Sequence, residues 1–425
     1  MNTGEIVLLS VFAALVLLGT PFAFSIGIAV LTTLWVQDID LIVLPQQLMT
    51  GISLYTLLSI PCFILAGDLM FTGGLSTKLV NIAMVLLGRR PGGAAIVAVA
   101  SATAFGAITG SANATTAAIG KATIPEMVKR GYSREFSAAL SAAYGPIGIL
   151  IPPSIPLIVW GVVANESITK LFIAGIVPGL LIAFGLMAVC YIHAKQHRIP
   201  VDPGRFSLMA FLRALNEGKF ALAAPIIILG GIYGGVFTPT EAGAVGVFYG
   251  AVIGLATGEI KLREMPHILL RSMKTSAIIL YIVGMSGAFS WIMGFNALPD
   301  RLGHILLGIS GDPIVVLLMI NVLLLLVGSF MDELAAMIIL SAFLTHVGRT
   351  IGVDPIHFGV IIVTNIAVGL THPPIGYTLF TASAISGVNM DRIVRPILPL
   401  IAVELAVLMV VTYVPGLSLF LLKIF

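Results

Sequence analysis

Gly110-Ser111-Ala112-Asn113-Ala114-Thr115-Thr116 is a short polar run set inside apolar sequence. A second anomaly follows it, Gly148-Ile149-Leu150-Ile151-Pro152-Pro153. The same pairing returns near the C-terminus, as Gly328-Ser329-Phe330-Met331-Asp332 and then Gly369-Leu370-Thr371-His372-Pro373-Pro374. The four pieces read as the walls of one small-solute and ion site at the middle of a membrane.

Composition supplies the membrane. The chain has 425 residues, 58% hydrophobic and only 10% charged, with a mean hydropathy of +1.10. A soluble domain carries roughly 25% charged residues, so the expected fold class is an all-α polytopic membrane protein. No polar segment is long enough to form a separate soluble domain. The net charge of +3 says little by itself, because the placement of basic residues matters more than their sum. Cys62 and Cys190 lie in different apolar segments and read as small core residues. Met1-Asn2-Thr3-Gly4-Glu5 lacks the basic start of a cleavable signal, so the first apolar run is expected to remain as a span.

The order of features repeats. Thr20-Pro21 returns as Thr238-Pro239, 218 residues on, and Leu44-Pro45 as Met265-Pro266, 221 on. Leu75–Leu79 resembles Leu298–Leu302 at 223, Gly110-Ser111 matches Gly328-Ser329 at 218, and Pro152-Pro153 matches Pro373-Pro374 at 221. Each match is weak alone, but five in order at a nearly constant offset define two repeats. These occupy 1–200 and 219–425, joined by a polar connector at 201–218.

Charge gives the two repeats opposite orientations. The 37–47 loop holds Asp38 and Asp40 and no Lys or Arg, whereas its counterpart 259–274 holds Lys261, Arg263, Arg271 and Lys274. The turn before the first polar hairpin has Arg89 and Arg90; the turn before the second has only Asp312. Basic residues favour the cytoplasmic side, so the repeats are inverted, with an odd number of crossings each. Five spans and one re-entrant hairpin per repeat satisfy this. The first repeat reads as spans 5–18, 21–36 and 48–71, hairpin 93–120, a Pro-broken helix 135–163 and span 171–192. The second reads as spans 220–236, 240–257 and 275–295, hairpin 313–346, broken helix 356–388 and span 397–422. The connector, with Lys195, Arg198, Arg205, Arg213 and Lys219 in and around it, falls in the cytoplasm and both termini fall outside.

Inverted repeats with helices broken at the midplane are the architecture of secondary transporters. Non-helical backbone survives in a membrane only where protein buries it or it lines a cavity. Proline also removes a helical hydrogen bond, so Pro152 and Pro153 are expected to free the carbonyls of Gly148 and Ile149, and Pro373 and Pro374 those of Gly369 and Leu370. Such carbonyls beside small hydroxyls suit a hard monovalent cation. Ser111, Asn113 and Thr115 complete one expected cage; Asp332 and Thr371 complete a second, with Asp332 its one formal charge. Half-helix N-termini at the same breaks favour an anionic solute, so Ser111, Asn113, Thr115, Pro152, Thr371 and Pro373 are the candidate substrate contacts.

Blander readings stand beside these. Small-residue runs such as 93–120 serve close helix packing, prolines serve as kinks, Asp332 alone suits a proton carrier, and His372 reads as a wall residue. Asp68 reads as a helix-end residue, and Glu404 faces either a polar partner or a bundle interior. Enzymatic signatures are absent: the sequence has no His-Glu-x-x-His, no Gly-x-Ser-x-Gly and no Cys/His ligand spacing. Gly120-Lys121 resembles a phosphate loop only superficially, with Thr115 where glycine is needed and Ala122 where Ser or Thr is needed. No enzyme activity, nucleotide or nucleic acid enters this reading.

The combination of Gly106–Thr115, Pro146–Ser154 and Gly369–Pro374 resembles the large membrane subunit of tripartite ATP-independent periplasmic (TRAP) transporters, over essentially the whole chain. The resemblance implies an elevator-type carrier of the ion-transporter superfamily in the bacterial inner membrane. It further implies Na+ symport, with two or more ions, of an organic acid such as sialic acid, a C4-dicarboxylate or a keto acid. The implied partners are a separate small four-helix membrane subunit and a periplasmic binding protein. Carried over, the Na+ positions fall on Ser111 and Asn113 with Gly148, Ile151 and Pro153, and on Asp332 with Gly369 and Thr371. The pieces 75–88 and 298–309 become scaffold arms. The rival expectation is a stand-alone divalent-anion/Na+ symporter that needs no binding protein.

Overall fold

The computed structural model describes residues 3–201 and 207–424; Met1, Asn2, Arg205 with the rest of 202–206, and Phe425 lie outside the described residues. Among the described residues every regular element is helical. Two short apolar helices, α1 (Thr3–Leu17) and α2 (Phe22–Val36), turn back at Gly19-Thr20-Pro21. Next come α3 (Val43–Ile52), α4 (Ser59–Thr72) and α5 (Leu75–Leu87). The first hairpin is α6 (Gly93–Thr109) and α7 (Ala112–Lys129). The first broken helix is α8 (Arg134–Tyr144), α9 (Ile147–Leu150) and α10 (Ile155–Ala164), bent by 44° at its break. After α11 (Ile168–Gln196), α12 (Leu208–Tyr233) and α13 (Pro239–Ala256) come α14 (Met265–Phe295) and α15 (Leu298–Ile309). The second hairpin is α16 (Pro313–Phe330) and α17 (Glu333–Thr350), and the second break separates α18 (Pro355–Gly369) from α19 (Tyr377–Ser386). Helices α20 (Met390–Tyr413) and α21 (Pro415–Leu419) close the chain.

The hairpins and breaks occupy the expected stretches, with longer arms. Helix α7 runs through Pro125 to Lys129, and α17 runs to Thr350. Three expectations are corrected. The span 48–71 is interrupted: α3 ends at Ile52, a 3-10 turn covers Tyr55–Leu58, and α4 starts at Ser59. The polar connector shrinks, because α12 already begins at Leu208 and carries Arg213 and Lys219 on helix. Polarity marks where the membrane ends, not where a helix does. The third concerns span length. Helices α1 and α2 have 15 residues each, about 22 Å of helix, short of a hydrocarbon core ~30 Å thick. By length and composition seven described helices qualify as spans, or eight if the bent α8–α10 pair is one; α16, drawn from sequence as a hairpin arm, is among them, whereas α1, α2 and α18 of the ten expected spans fall short.

An outer frame and an inner bundle result. In the frame, α13 packs along α4, α14 along α3 and α2, and α12 along α5. Its outward face carries Ile226, Phe248 and Met273, each at least two-thirds exposed, a pattern that suits lipid and not water. The inner bundle holds the two hairpins, the broken helices, α11 and α20 around a core that includes Phe105, Tyr144, Trp160 and Phe172. Across the sequence halves, α7 packs on α19 and α17 on α10. The two hairpins differ: α6 lies along α7, whereas α16 lies mainly along α18.

Candidate functional site

The tip of the first hairpin is pressed into the first break. Gly110 holds a left-handed φ of 59°, and its carbonyl accepts from the Ile155 N–H at 3.3 Å. A Cβ on Gly110 would stand 2.5 Å from the Pro153 carbonyl oxygen, so only glycine allows this approach. Ser111 starts α7, its hydroxyl accepting from the Ala114 N–H at 3.4 Å. Gly148 has no side chain because that space holds the Thr115 hydroxyl and the Ser111 carbonyl, which a Cβ would meet at 2.4 and 2.9 Å. Thr115 is fully buried and shares a 3.1 Å hydrogen bond with Thr109.

Ser111, Thr115, Gly148 and Pro153 are therefore brought together, with Pro152 buried in the same break. Ile151 ends α9 and its side chain packs where Gly179 of α11 leaves room. Asn113 turns to the other half of the chain, its carboxamide oxygen accepting from Thr381 of α19 at 3.0 Å.

The expectation of bare carbonyls at the breaks needs correction. The Ile149 carbonyl accepts from the Ser154 hydroxyl at 2.5 Å. The Gly369 carbonyl accepts from the His372 N–H at 3.1 Å. The Leu370 carbonyl accepts from both the N–H and the hydroxyl of Thr378, at 3.2 and 2.9 Å. Buried backbone groups find partners wherever the chain offers them, and hydroxyls just past each proline pair do so here. Gly148 differs, since the residue four positions on is Pro152, which has no N–H.

In the second half, Asp332 caps α17, its carboxylate accepting from the N–H groups of Leu334 and Ala335 at 3.1 and 3.4 Å. No hydrogen bond joins Asp332 to Thr371 among the described residues. The buried Thr371 hydroxyl instead faces Glu404 of α20, outside hydrogen-bonding geometry, and both Glu404 carboxylate oxygens are buried without a hydrogen-bond partner among the described residues. Gly369 meets Gly328 backbone to backbone: a Cβ on Gly369 would stand 3.1 Å from the Gly328 Cα. Gly106 and Gly148 make the equivalent approach in the first half, at 2.8 Å. Pro373 is half-buried and its carbonyl lies 2.6 Å from Nδ1 of the preceding His372. Glu333, which the sequence reading passed over, places one carboxylate oxygen in a buried position without a partner.

A cavity of about 350 Å³ opens beside the first tip, between α4, the hairpin, the start of α10 and α14. Ser111 and Asn113 line it, as do three charged residues the sequence reading assigned to other roles: Asp68, Lys121 and Arg271. Arg271 and Asp68 form a 2.9 Å ion pair, and Ser272 donates to the second Asp68 oxygen at 2.6 Å. A signal existed. Asp68 sits in the apolar run Phe63–Phe71, and a charge in such a run implies a partner. Arg271 was hidden because α14 starts ten residues before the expected span at 275.

The long apolar helices around this charged cavity are those of a polytopic membrane protein. The chain belongs to the family described as tripartite ATP-independent periplasmic transporter, DctM component, whose sequence model matches residues 9–417. It is 43% identical over 97% of its length to the isethionate TRAP transporter permease protein DctMQ of Oleidesulfovibrio alaskensis, and spans 66% of that relative. It is 39% identical to the C4-dicarboxylate TRAP transporter large permease protein DctM of Pseudomonas aeruginosa, over 86% of each chain. It is also 36% identical to the sialic acid TRAP transporter large permease protein SiaM of Vibrio cholerae, over 98% of each chain.

Proposed function

We propose that this chain carries an organic anion across the bacterial inner membrane by Na+ symport, with an elevator motion. It works with a small membrane subunit and a periplasmic binding protein. The observation that carries the reading is the cavity in which the hairpin tip, at Ser111 and Asn113, meets the cations Lys121 and Arg271. An anion seated there contacts the tip that also builds the ion site. Oxygen atoms make up that ion site: the Ser111, Gly148 and Pro153 carbonyls and the Thr115 hydroxyl. Such a donor set fits a hard monovalent cation. Bound Na+ orders the tip and so raises affinity for the anion, and linkage makes the effect reciprocal.

Two sets of contacts support an inverted repeat. Ser111 and Asp332 both cap the second arm of their hairpin, which makes the tip offset 221. That equals the offset of the proline pairs and replaces the match to Ser329. The glycine approaches Gly106 to Gly148 and Gly328 to Gly369 recur at the same places. Long-range polar pairs also join ends that charge assigns to one side. Glu5–Arg301 at 2.8 Å and Gln37–Asn296 at 2.7 Å fall outside. Asp68–Arg271 and Lys78–Glu259, at 2.9 and 3.5 Å, fall inside. On that charge assignment the cavity, which holds Asp68 and Arg271, opens toward the inner side, which fits an inward-facing form.

The test is uptake into proteoliposomes holding this chain and its small subunit. Uptake of an organic acid is expected only with an inward Na+ gradient and added binding protein. Uptake that ignores Na+ removes the coupling, and uptake by this chain alone removes the tripartite requirement.

A further inference from the structure

The cavity beside the hairpin tip holds three formal charges, and their arrangement is unequal. Lys121 stands on α7, exposed, and makes no ion pair among the described residues. Arg271 stands on α14 of the frame with its Nη2 at 2.9 Å from Asp68 and 3.5 Å from the Thr72 hydroxyl. Its other N–H donors make no hydrogen bond among the described residues. Asp68 is fixed from both sides, by Arg271 on one oxygen and by the Ser272 hydroxyl at 2.6 Å on the other. It comes from α4, so two frame helices, far apart in sequence, are clamped at the wall of the cavity.

A carboxylate held against a guanidinium at a binding wall removes one unit of positive charge from what the solute meets. With Asp68 in place the cavity presents a net charge of +1; without it, +2. We propose that Asp68 is a specificity-determining residue that sets the net charge of the solute cavity and thereby selects monoanionic over dianionic organic acids. This rests on the solute site proposed above and deepens it. Arg271 keeps free donors for a single carboxylate or sulfonate, while the Asp68 carboxylate repels a second acidic group brought to the same wall. Selection by an opposing charge is as effective as selection by a matching one. Lys121 supplies the attraction that remains, from the hairpin, so a monoanion bridges hairpin and frame.

The experiment is direct binding to the purified full chain in lipid nanodiscs, with saturating Na+. The probes are a matched pair with one carbon skeleton, butyrate and succinate, with isethionate as a sulfonate monoanion. The wild type is expected to prefer the monoanions. One unit charge a few ångströms away, partly screened, changes the dianion-to-monoanion affinity ratio by about tenfold. Asp68→Asn should therefore raise that ratio about tenfold and retain monoanion binding. Arg271→Gln should lower it, and the Asp68→Asn/Arg271→Gln double variant, again at net +1, should return toward the wild-type ratio. Asp68→Glu keeps the charge, so it should keep the wild-type dianion-to-monoanion ratio whatever its absolute affinities, and it guards against misfolding. An Asp68→Asn protein that melts like wild type but keeps the ratio, or loses both anions equally, overturns the charge filter and leaves the solute site standing. A wild-type protein that binds none of the anions overturns the solute site and the filter with it.

Discussion

Gly148→Ala tests the ion site without touching a side chain that contacts it. The new methyl would stand 2.4 Å from the Thr115 hydroxyl and 2.9 Å from the Ser111 carbonyl, well inside the ~3.5 Å optimum for non-bonded atoms. Neither neighbour gives easily. Thr115 is buried and held by Thr109 at 3.1 Å, and the Ser111 carbonyl accepts the Thr115 N–H at 3.1 Å. The hairpin tip must therefore withdraw from the break. Overpacking of this kind costs about 1–3 kcal/mol. If the displaced oxygens are the ones that hold Na+, the same range weakens Na+ binding by about 5–150-fold. The assay is the Na+ dependence of solute uptake in proteoliposomes, with the melting temperature of the purified protein beside it. A folded Gly148→Ala protein with an unchanged Na+ half-saturation would refute the placement of the ion at this contact.

Gly230→Ala is the control: among the described residues no atom lies within 4 Å of the new methyl, in the last turn of α12, so stability should hold or rise by about 0.4–1 kcal/mol. Asp332→Asn keeps the cap on α17 and removes its charge, and uptake should lose Na+ coupling while assembly with the small subunit persists. Asp332→Ala should in addition cost about 0.5–2 kcal/mol of stability through the lost cap; equal melting points for the two variants would show the cap to be idle. Glu404→Met removes a buried carboxylate that makes no hydrogen bond among the described residues, and melting temperature should rise. A fall would show that a cation or a proton holds Glu404 in the working protein.

The membrane class, the hairpin positions and both proline breaks were legible because they depend on local chemistry: apolar length, small polar tips, and prolines that cannot donate. What lay beyond reach depended on distance. Asp68 and Arg271 sit 203 positions apart, and each has an innocent local reading, one as a helix end and one as a loop charge. The freed carbonyls failed for a different reason. Ser154 and Thr378 each stand just past a proline pair, where their hydroxyls serve the carbonyls upstream; the sequence shows them, and the pattern of a hydroxyl after Pro-Pro was the missed clue. The end of α11 and the start of α12 were misplaced because charge was taken to end a helix, and a helix leaving a membrane continues into water without penalty.

Asn113 reaches across to Thr381, and the second arm of each hairpin lies on the far piece of the other half's broken helix. The halves are thus cross-braced like two hands gripping each other's wrists. If the proposed elevator motion operates, a displacement that carries one tip has to take the opposite break along with it. On that reading the two tips travel as one body, and neither half of the chain shifts alone.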